Sequence, residues 1–256
     1  MAGQALAQIA ARLGTAPARL DYLVNPDPAR RIAYIETPKV GCTAIKAFLQ
    51  DRAAPPPGPG TARDVHDRAA SPLPRLSALP PATRRAVLSG RWRRFSFTRN
   101  PYARLLSGYL DKIVTNDWER ARHLPRLGFA TDARISLATF LEALEEVPPP
   151  RRDIHFAAQS ELLMTGRVDY DFLGAFETFA ADFAAMRRRY YGETGGDSYE
   201  TVGRRHATGA AQKLAAHFGP REIALAARIY AADFAALGYC EDPGRALEPP
   251  VRPCTP

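Results

Sequence analysis

The chain has 256 residues, 46% of them hydrophobic and 24% charged, enough to bury a substantial core and to exclude collagen, coiled coil and wholesale disorder. It carries 35 basic against 27 acidic residues, a formal charge of +8, and only four of the basic residues are lysine. A positive field favours anionic partners such as phosphates, sulfated glycans or nucleic acid, without choosing among them. Three widely scattered cysteines, Cys42, Cys240 and Cys254, argue against a disulfide framework and against a zinc site. No apolar run reaches about 18 residues, so no integral membrane segment is expected. The first 20 residues lack a charged stretch followed by an apolar core, and no secretory signal is expected either.

Leu6, Ile9 and Leu13 recur at helical spacing and predict an amphipathic helix; NPDPARR then reads as a turn-rich lead-in, so that residues 1–29 form helix and lead-in. Residues 31–36, short and rich in Ile and Tyr, predict a buried strand. A tight loop follows, and Ala44, Ile45, Phe48 and Leu49 predict a helix with Thr43 as its N-cap. The Pro/Gly-rich run at 53–62 reads as an exposed insertion, and 63–90 as irregular or short helical structure. A second strand is predicted over 94–99, with Phe95 and Phe97 on one face. It runs into a helix opened by Pro101, with Tyr102, Leu105, Leu106, Tyr109 and Ile113 as its apolar stripe.

Farther on, 136–147 predicts an amphipathic helix closed by Pro148 to Pro150. Residues 170–176 predict a third strand, followed by a helix from Glu177 to Tyr191. A polar stretch over 192–209 precedes two helices at about 209–218 and 220–237. The proline-rich tail, 241–256, reads as mobile. Strands alternating with helices predict an α/β fold with a mainly parallel central sheet flanked by helices, in one domain over 30–240.

Such sheets bind anions on loops that lead from strand ends into helix N-termini. Two segments have that form. In Pro38-Lys39-Val40-Gly41-Cys42-Thr43-Ala44, Gly41 permits a tight turn, backbone amides can point at an anion, and Lys39 and Thr43 add a charge and a hydroxyl. A Walker A loop would place its lysine directly after the second glycine, whereas here the lysine comes first, which disfavours a P-loop phosphotransferase. In the second segment, Arg99 to Ser107, a strand-end arginine suits a forked grip on phosphate, and Ser107 lies about two helical turns on.

Together these residues resemble the PAPS-dependent sulfotransferases, in particular the carbohydrate sulfotransferases of the Golgi type. Pro38 to Thr43 is similar to that family's 5′-phosphosulfate loop, P-K-[TV]-[GA]-C-T, and Arg99 to Tyr109 to its 3′-phosphate segment, R-[DN]-P-[YF]-x-R-L-[LV]-S-[AG]-Y. The resemblance extends to Asp153 through Phe156 with Gln159, to Tyr170 through Glu177, and to Ile229-Tyr230, Asp233-Phe234 and Gly238-Tyr239. It covers roughly residues 30–240. Family members of this type carry a signal anchor and lumenal disulfides, neither of which is expected here, and the resemblance then implies a soluble bacterial relative in the cytoplasm or peripheral to a membrane.

The resemblance implies a P-loop-like sulfotransferase fold and in-line transfer of a sulfuryl group from PAPS, as cosubstrate, to a hydroxyl of an oligo- or polysaccharide, with no metal. Its carry-over puts Lys39 on the bridging oxygen and 5′-phosphate; Pro38, Gly41, Cys42, Thr43 and Ala44 around the 5′ end; and Arg99 and Ser107 on the 3′-phosphate. Cys42 reads as a packing residue rather than a nucleophile. Arg104 is read equally as a carboxylate partner or a ligand contact. His155 is the candidate base, because histidine ordinarily titrates near neutral pH, against a structural role in shaping the pocket. His66 is a second candidate base. Asp171 and Glu177 read as structural hydrogen-bonding residues, although a base role for Glu177 stays open. Arg204, Arg205, His206 and Thr208 form a basic loop that would either close over the nucleotide or stay solvated. The acceptor is expected to be a carbohydrate, and the basic surface suits an acidic glycan. The competing class is a basic polyanion- or nucleic-acid-binding protein, carried by the charge and by the runs Arg91 to Arg94 and Arg187 to Arg189. No nucleic-acid-binding motif accompanies them, so no nucleic acid partner is expected.

Overall fold

The computed structural model describes residues 2–54, 64–193 and 210–251. Helices α1 (Ala2–Arg12) and α2 (Pro17–Leu23) lead into strands β1 (Val24–Asp27) and β2 (Ile32–Ile35), then α3 (Cys42–Ala53), α4 (Pro81–Val87) and β3 (Arg93–Thr98). Next come α5 (Pro101–Tyr109), α6 (Asp117–His123), α7 (Leu137–Glu146) and α8 (Gln159–Leu162). The chain continues through β4 (Phe172–Ala175), α9 (Phe179–Tyr191), α10 (Leu214–His217), α11 (Pro220–Ile229) and α12 (Ala231–Leu237). It divides into two compact units, Met1–Thr98 with Glu161–His206, and Arg99–Ser160 with Ala207–Pro256.

The first unit holds the sheet, in the order β1-β2-β3-β4. Strands β2, β3 and β4 are parallel, in the register Tyr34 opposite Phe95 and Phe95 opposite Phe172. Side chains alternate across a strand, so Ile32, Tyr34, Phe95 and Phe97 share one face, while Ala33, Ser96 and Thr98 take the other. Tyr34 stacks on Phe95 at 5.3 Å between centroids. Ile45, Phe48 and Leu49 of α3, with Phe183, Met186 and Tyr190 of α9, complete a buried cluster with that face. Each such side chain contributes roughly 1.5–3 kcal/mol. Gly174 is required by the same packing, because a Cβ there would lie 2.3 Å from the Phe97 ring.

Parallel character and helical flanks agree with the sequence reading; several boundaries do not. The turn-rich lead-in contains β1, which pairs antiparallel with β2 through Asn25–Tyr34 and Pro26–Ala33. Proline is tolerated there because β1 lies at the sheet edge and need not donate on both sides. The second strand ends at Thr98, one residue earlier than expected, which leaves Arg99 beyond it. The helix expected from Glu177 starts at Phe179. The insertion from residue 55 and the basic loop with Arg204, Arg205, His206 and Thr208 lie outside the described residues.

The second unit is helical in its described part. Asn100, Asn116 and Ser136 cap α5, α6 and α7 by accepting amide hydrogens of the first turn. All nine residues of α5 are buried, and the chain beyond it continues as a π-type turn over Leu110–Thr115. Phe140 of α7 packs edge-on to Phe156 at 4.8 Å and against Tyr109 at 5.5 Å. Across the surface of the pair, α7 and α11 are joined by Glu142–Arg221 and Glu145–Arg228. The expected single helix at 220–237 is broken at Tyr230, whose backbone leaves the helical region (φ −114°, ψ 20°) and whose hydroxyl donates to Phe156 O at 2.8 Å. The Val251 amide donates to Gly238 O at 3.0 Å, tying down the described part of the tail. Among the described residues no helix is long and apolar enough to cross a membrane.

Candidate active site

In the first unit the chain leaves β2 at Ile35 and turns twice before α3. Pro38 followed by a left-handed Lys39 (φ 71°) is the residue pattern of a type II turn. A lysine in a conformation that favours glycine is backbone strain at a loop, the kind that accompanies ligand sites. Gly41 is also left-handed (φ 87°, ψ 16°) and occupies the N-cap of α3 with no side chain to cap it. A Cβ at Gly41 would lie 2.5 Å from the Phe179 ring, so the position is closed to other residues by conformation and by space. The amides of Cys42, Thr43 and Ala44 form the uncapped first turn of this 12-residue helix, where N–H groups have no intrahelical acceptor.

Thr43 is therefore not the N-cap that its sequence position suggested. Its hydroxyl lies 3.1 Å from His66 Nε2 instead. Behind it, Lys46 and Glu36 form a buried ion pair at 2.7 Å, with side chains 0% and 2% exposed. Lys46 Nζ also lies 3.4 Å from His66 Nδ1. Burial, reinforced by the charge of Glu36, pushes the Cys42 thiol up from its ordinary value, so it stays protonated and is a poor nucleophile.

In the second unit Arg99 is buried and its backbone is clamped at both ends by one side chain. Gln159 Oε1 accepts the Arg99 amide at 2.9 Å, and Gln159 Nε2 donates to Arg99 O at 2.8 Å. Gln159 is held in turn by the fully buried Asp233, which accepts the amides of Gln159 and Ser160 at 2.8 and 2.7 Å and the Ser160 hydroxyl at 2.7 Å. Arg104 donates to Ala157 O at 2.8 Å and to Ile154 O at 2.9 Å, so its guanidinium organises the segment that carries His155. Ser107 is buried on α5, and the neighbouring Gly108 lets that segment approach: a Cβ there would lie 3.3 Å from His155 O.

His155 Nδ1 lies 2.7 Å from Asp153 Oδ1. A carboxylate only accepts, so Nδ1 carries the hydrogen, and in the neutral ring Nε2 is the nitrogen with the lone pair. Against the cost of burial, the hydrogen bonds from His155 hold Asp153 well below the usual carboxylate range. His123 stands edge-on to His155 at 6.2 Å between centroids, and burial pushes it down to about 4, so it is neutral. Asp171 accepts the Arg94 amide at 2.8 Å in the sheet of the first unit, in keeping with a structural role.

A model described as "Sulfotransferase family" matches residues 21–240. The chain belongs to the sulfotransferase family. It is similar to carbohydrate sulfotransferase 14 of Danio rerio, 29% identical over 178 residues that cover 65% of this chain and 47% of the relative. It is also similar to carbohydrate sulfotransferase 8 of Homo sapiens, 27% identical over 167 residues, 59% of this chain and 39% of the relative. The chain thus spans less than half the length of either curated relative it matches. No solved structure matches it.

Within this member of the sulfotransferase family, Pro38, Lys39, Gly41, Cys42, Thr43 and Ala44 share one strand–loop–helix connection of the first unit, while Arg99 and His155 belong to hydrogen-bonded segments of the second, where Ser107 is buried on α5. Sequence reasoning named Gln159 and Asp233 as motif positions without seeing that they fix the Arg99 backbone. It quoted Asp153 too as part of a motif, without assigning it the hydrogen bond to His155 that the structure shows. The grouping of Glu36, Lys46 and His66 had no local signal.

Proposed function

We propose that the chain transfers a sulfuryl group from PAPS to a hydroxyl of a carbohydrate. The observation that carries this reading is the connection from Pro38 to Ala44. Two left-handed residues lead into a helix start that no side chain caps, and such a connection fits the anionic end of a phosphosulfate. Lys39 stabilises the charge that develops on the leaving phosphate oxygen, and the amides of Gly41 to Ala44 bind the 5′ group. Arg99 and Ser107 take the 3′-phosphate. The acceptor oxygen attacks sulfur as the sulfur–oxygen bond to phosphate breaks, releasing adenosine 3′,5′-bisphosphate, and His155 Nε2 takes the hydroxyl proton. Asp153 holds the ring in the tautomer this needs and stabilises the imidazolium that forms. No step calls for a metal.

The carbohydrate acceptor is supported by the names of both relatives and by a cavity of about 530 Å³ in the second unit. Its walls set apolar Leu144, Pro148 and Phe156 beside charged groups of both signs, Arg126 and Arg151 with Glu146 and Asp153, a lining that suits the face of a sugar ring and its hydroxyls. Nearby on α6, Trp118 is 70% exposed with the Arg122 guanidinium 5.4 Å from its ring, a second stacking surface.

Calorimetric titration with adenosine 3′,5′-bisphosphate, with ADP and ATP as controls, tests the donor site: binding should depend on the 3′-phosphate. Lys39→Ala and Arg99→Ala should each abolish transfer while the protein stays folded. Full activity in either variant overturns the assignment. His155→Ala should lose turnover and keep nucleotide affinity.

A further inference from the structure

Two histidines face polar partners of opposite character. Asp153 can only accept, and it puts the hydrogen of His155 on Nδ1. Lys46 can only donate, because an ammonium has three N–H groups and no lone pair. Its Nζ lies 3.4 Å from His66 Nδ1, so Nδ1 must accept and the ring hydrogen sits on Nε2. At 3.1 Å, Nε2–H then donates to Thr43 Oγ1.

We propose that Lys46 and His66 form a donor relay that occupies the oxygen of Thr43 and turns its hydroxyl hydrogen toward the anion bound at the start of α3. His66 is thereby a positioning residue that acts through Thr43. The proposal rests on the reading of residues 42–44 as the cradle for the donor's 5′ group.

The surroundings support a single arrangement. A hydrogen on His66 Nδ1 would face the Lys46 ammonium, and the Glu36 carboxylate is too far to receive it, with Oε1 4.0 Å away. Glu36 is already neutralised by Lys46 at 2.7 Å in a site where neither side chain meets water. The His66 backbone is anchored separately, its amide donating to Asp64 Oδ1 at 2.9 Å. Glu36, Cys42 and His66 have potential ligand atoms within 4.8 Å of one another, which could be read as a metal site. The Lys46 ammonium, 2.7 Å from Glu36, already supplies the positive charge at that carboxylate and repels a second cation. A hydroxyl whose oxygen already accepts a hydrogen bond is held in one rotamer and donates more strongly, which is what a preorganised anion site requires.

The tautomer is read directly by long-range ¹⁵N–¹H correlation on the full chain labelled at histidine, at pH 7.5. His66 should show the Nε2–H form and His155 the Nδ1–H form; His66 in the Nδ1–H form overturns the proposal without touching the donor reading. The functional arm compares adenosine 3′,5′-bisphosphate with adenosine 3′-monophosphate, which lacks the 5′ group. Thr43→Val and His66→Ala should each weaken the bisphosphate by about 10-fold or more, the size of one hydrogen bond to a charged group, and leave the monophosphate unchanged. His66→Gln, whose amide N–H can replace Nε2–H, should restore most of the affinity, and the double variant His66→Ala/Thr43→Val should bind no worse than Thr43→Val alone. Equal losses for His66→Gln and His66→Ala, or an unchanged bisphosphate affinity in Thr43→Val, overturn the relay. A wild-type chain that binds neither nucleotide overturns the donor reading itself, and the relay falls with it.

Discussion

Replacing Gly41 by alanine perturbs the donor loop with a single methyl group, and two independent costs follow from its position. Its φ of 87° lies in the left-handed region, where an L-residue with a Cβ is less stable by about 1–2 kcal/mol. The added Cβ also meets Phe179 at 2.5 Å (Cε2), 2.9 Å (Cζ) and 3.1 Å (Cδ2). That ring cannot retreat freely, being stacked on Phe183 at 5.2 Å and packed against Phe97 at 5.3 Å. Overpacking of this kind costs about 1–3 kcal/mol. Reduced freedom of the unfolded chain returns about 0.4–1 kcal/mol, so the net loss should be about 2–4 kcal/mol. Urea unfolding of the full chain should show the midpoint lowered by about 1 M at an unchanged slope. Repeating the substitution in a Phe179→Leu background separates the terms, because the steric part should vanish and the conformational part should remain. An unchanged midpoint, or the same cost in both backgrounds, refutes the reasoning.

Four further outcomes are expected. Gln159→Leu removes both hydrogen bonds to the Arg99 backbone and should weaken adenosine 3′,5′-bisphosphate by about 10-fold or more, with less effect on ADP; equal losses for the two nucleotides would show general unfolding instead. Asp233→Asn sets an amide against the N–H groups of Gln159 and Ser160 and should cost about 2–4 kcal/mol in urea unfolding. His123 titrates at about 4 when folded and near 6.5 when unfolded, so between these values the unfolded state binds the extra proton: stability should fall by up to about 3 kcal/mol as pH drops from 6.5 to 4, with no contribution above 6.5. His123→Phe should flatten that window, and an identical pH slope in the variant would contradict it. Arg104→Ala leaves the carbonyls of Ile154 and Ala157 without their donor and should destabilise the protein by about 2–4 kcal/mol, measurable before any effect on ligand.

The β2–loop–α3 connection was legible because its parts are local: Ile and Tyr in a short run, Gly41 at the turn, Ile45 and Phe48 at helical spacing. β1 was not, because Asn25, Pro26 and Asp27 carry turn chemistry, and only pairing with β2 makes them a strand. The break at Tyr230 was hidden for the same reason: the helical pattern runs through it, and a hydrogen bond to Phe156 O, 74 residues away, decides where the helix stops. For the proposed site, the order of motifs was what singled out Lys39, Arg99 and His155. It could not place His66 beside Thr43, 23 residues earlier, because the sequence between the end of α3 and His66 has no regular pattern to fold on paper.

These placements change what the motif residues are for. Gln159, Asp233, Arg104 and Tyr230 direct their polar groups at backbone, and the backbone they hold carries Arg99 and His155. A polar group buried without a partner costs more than a made hydrogen bond gains, so each of these residues is tied to its place by the penalty of its removal. In the first unit, the groups that the proposed donor loop would turn to an anion are mostly main-chain amides, which among substitutions only proline deletes and which otherwise move only with the backbone path. The sequence requirement there falls on Gly41, on the space before Phe179, and on a lysine that accepts a left-handed conformation. On the proposed function, chemistry is thus carried by few side chains, Lys39, Arg99 and His155 foremost. The longer motifs that announce it are mainly the means of holding those few in position.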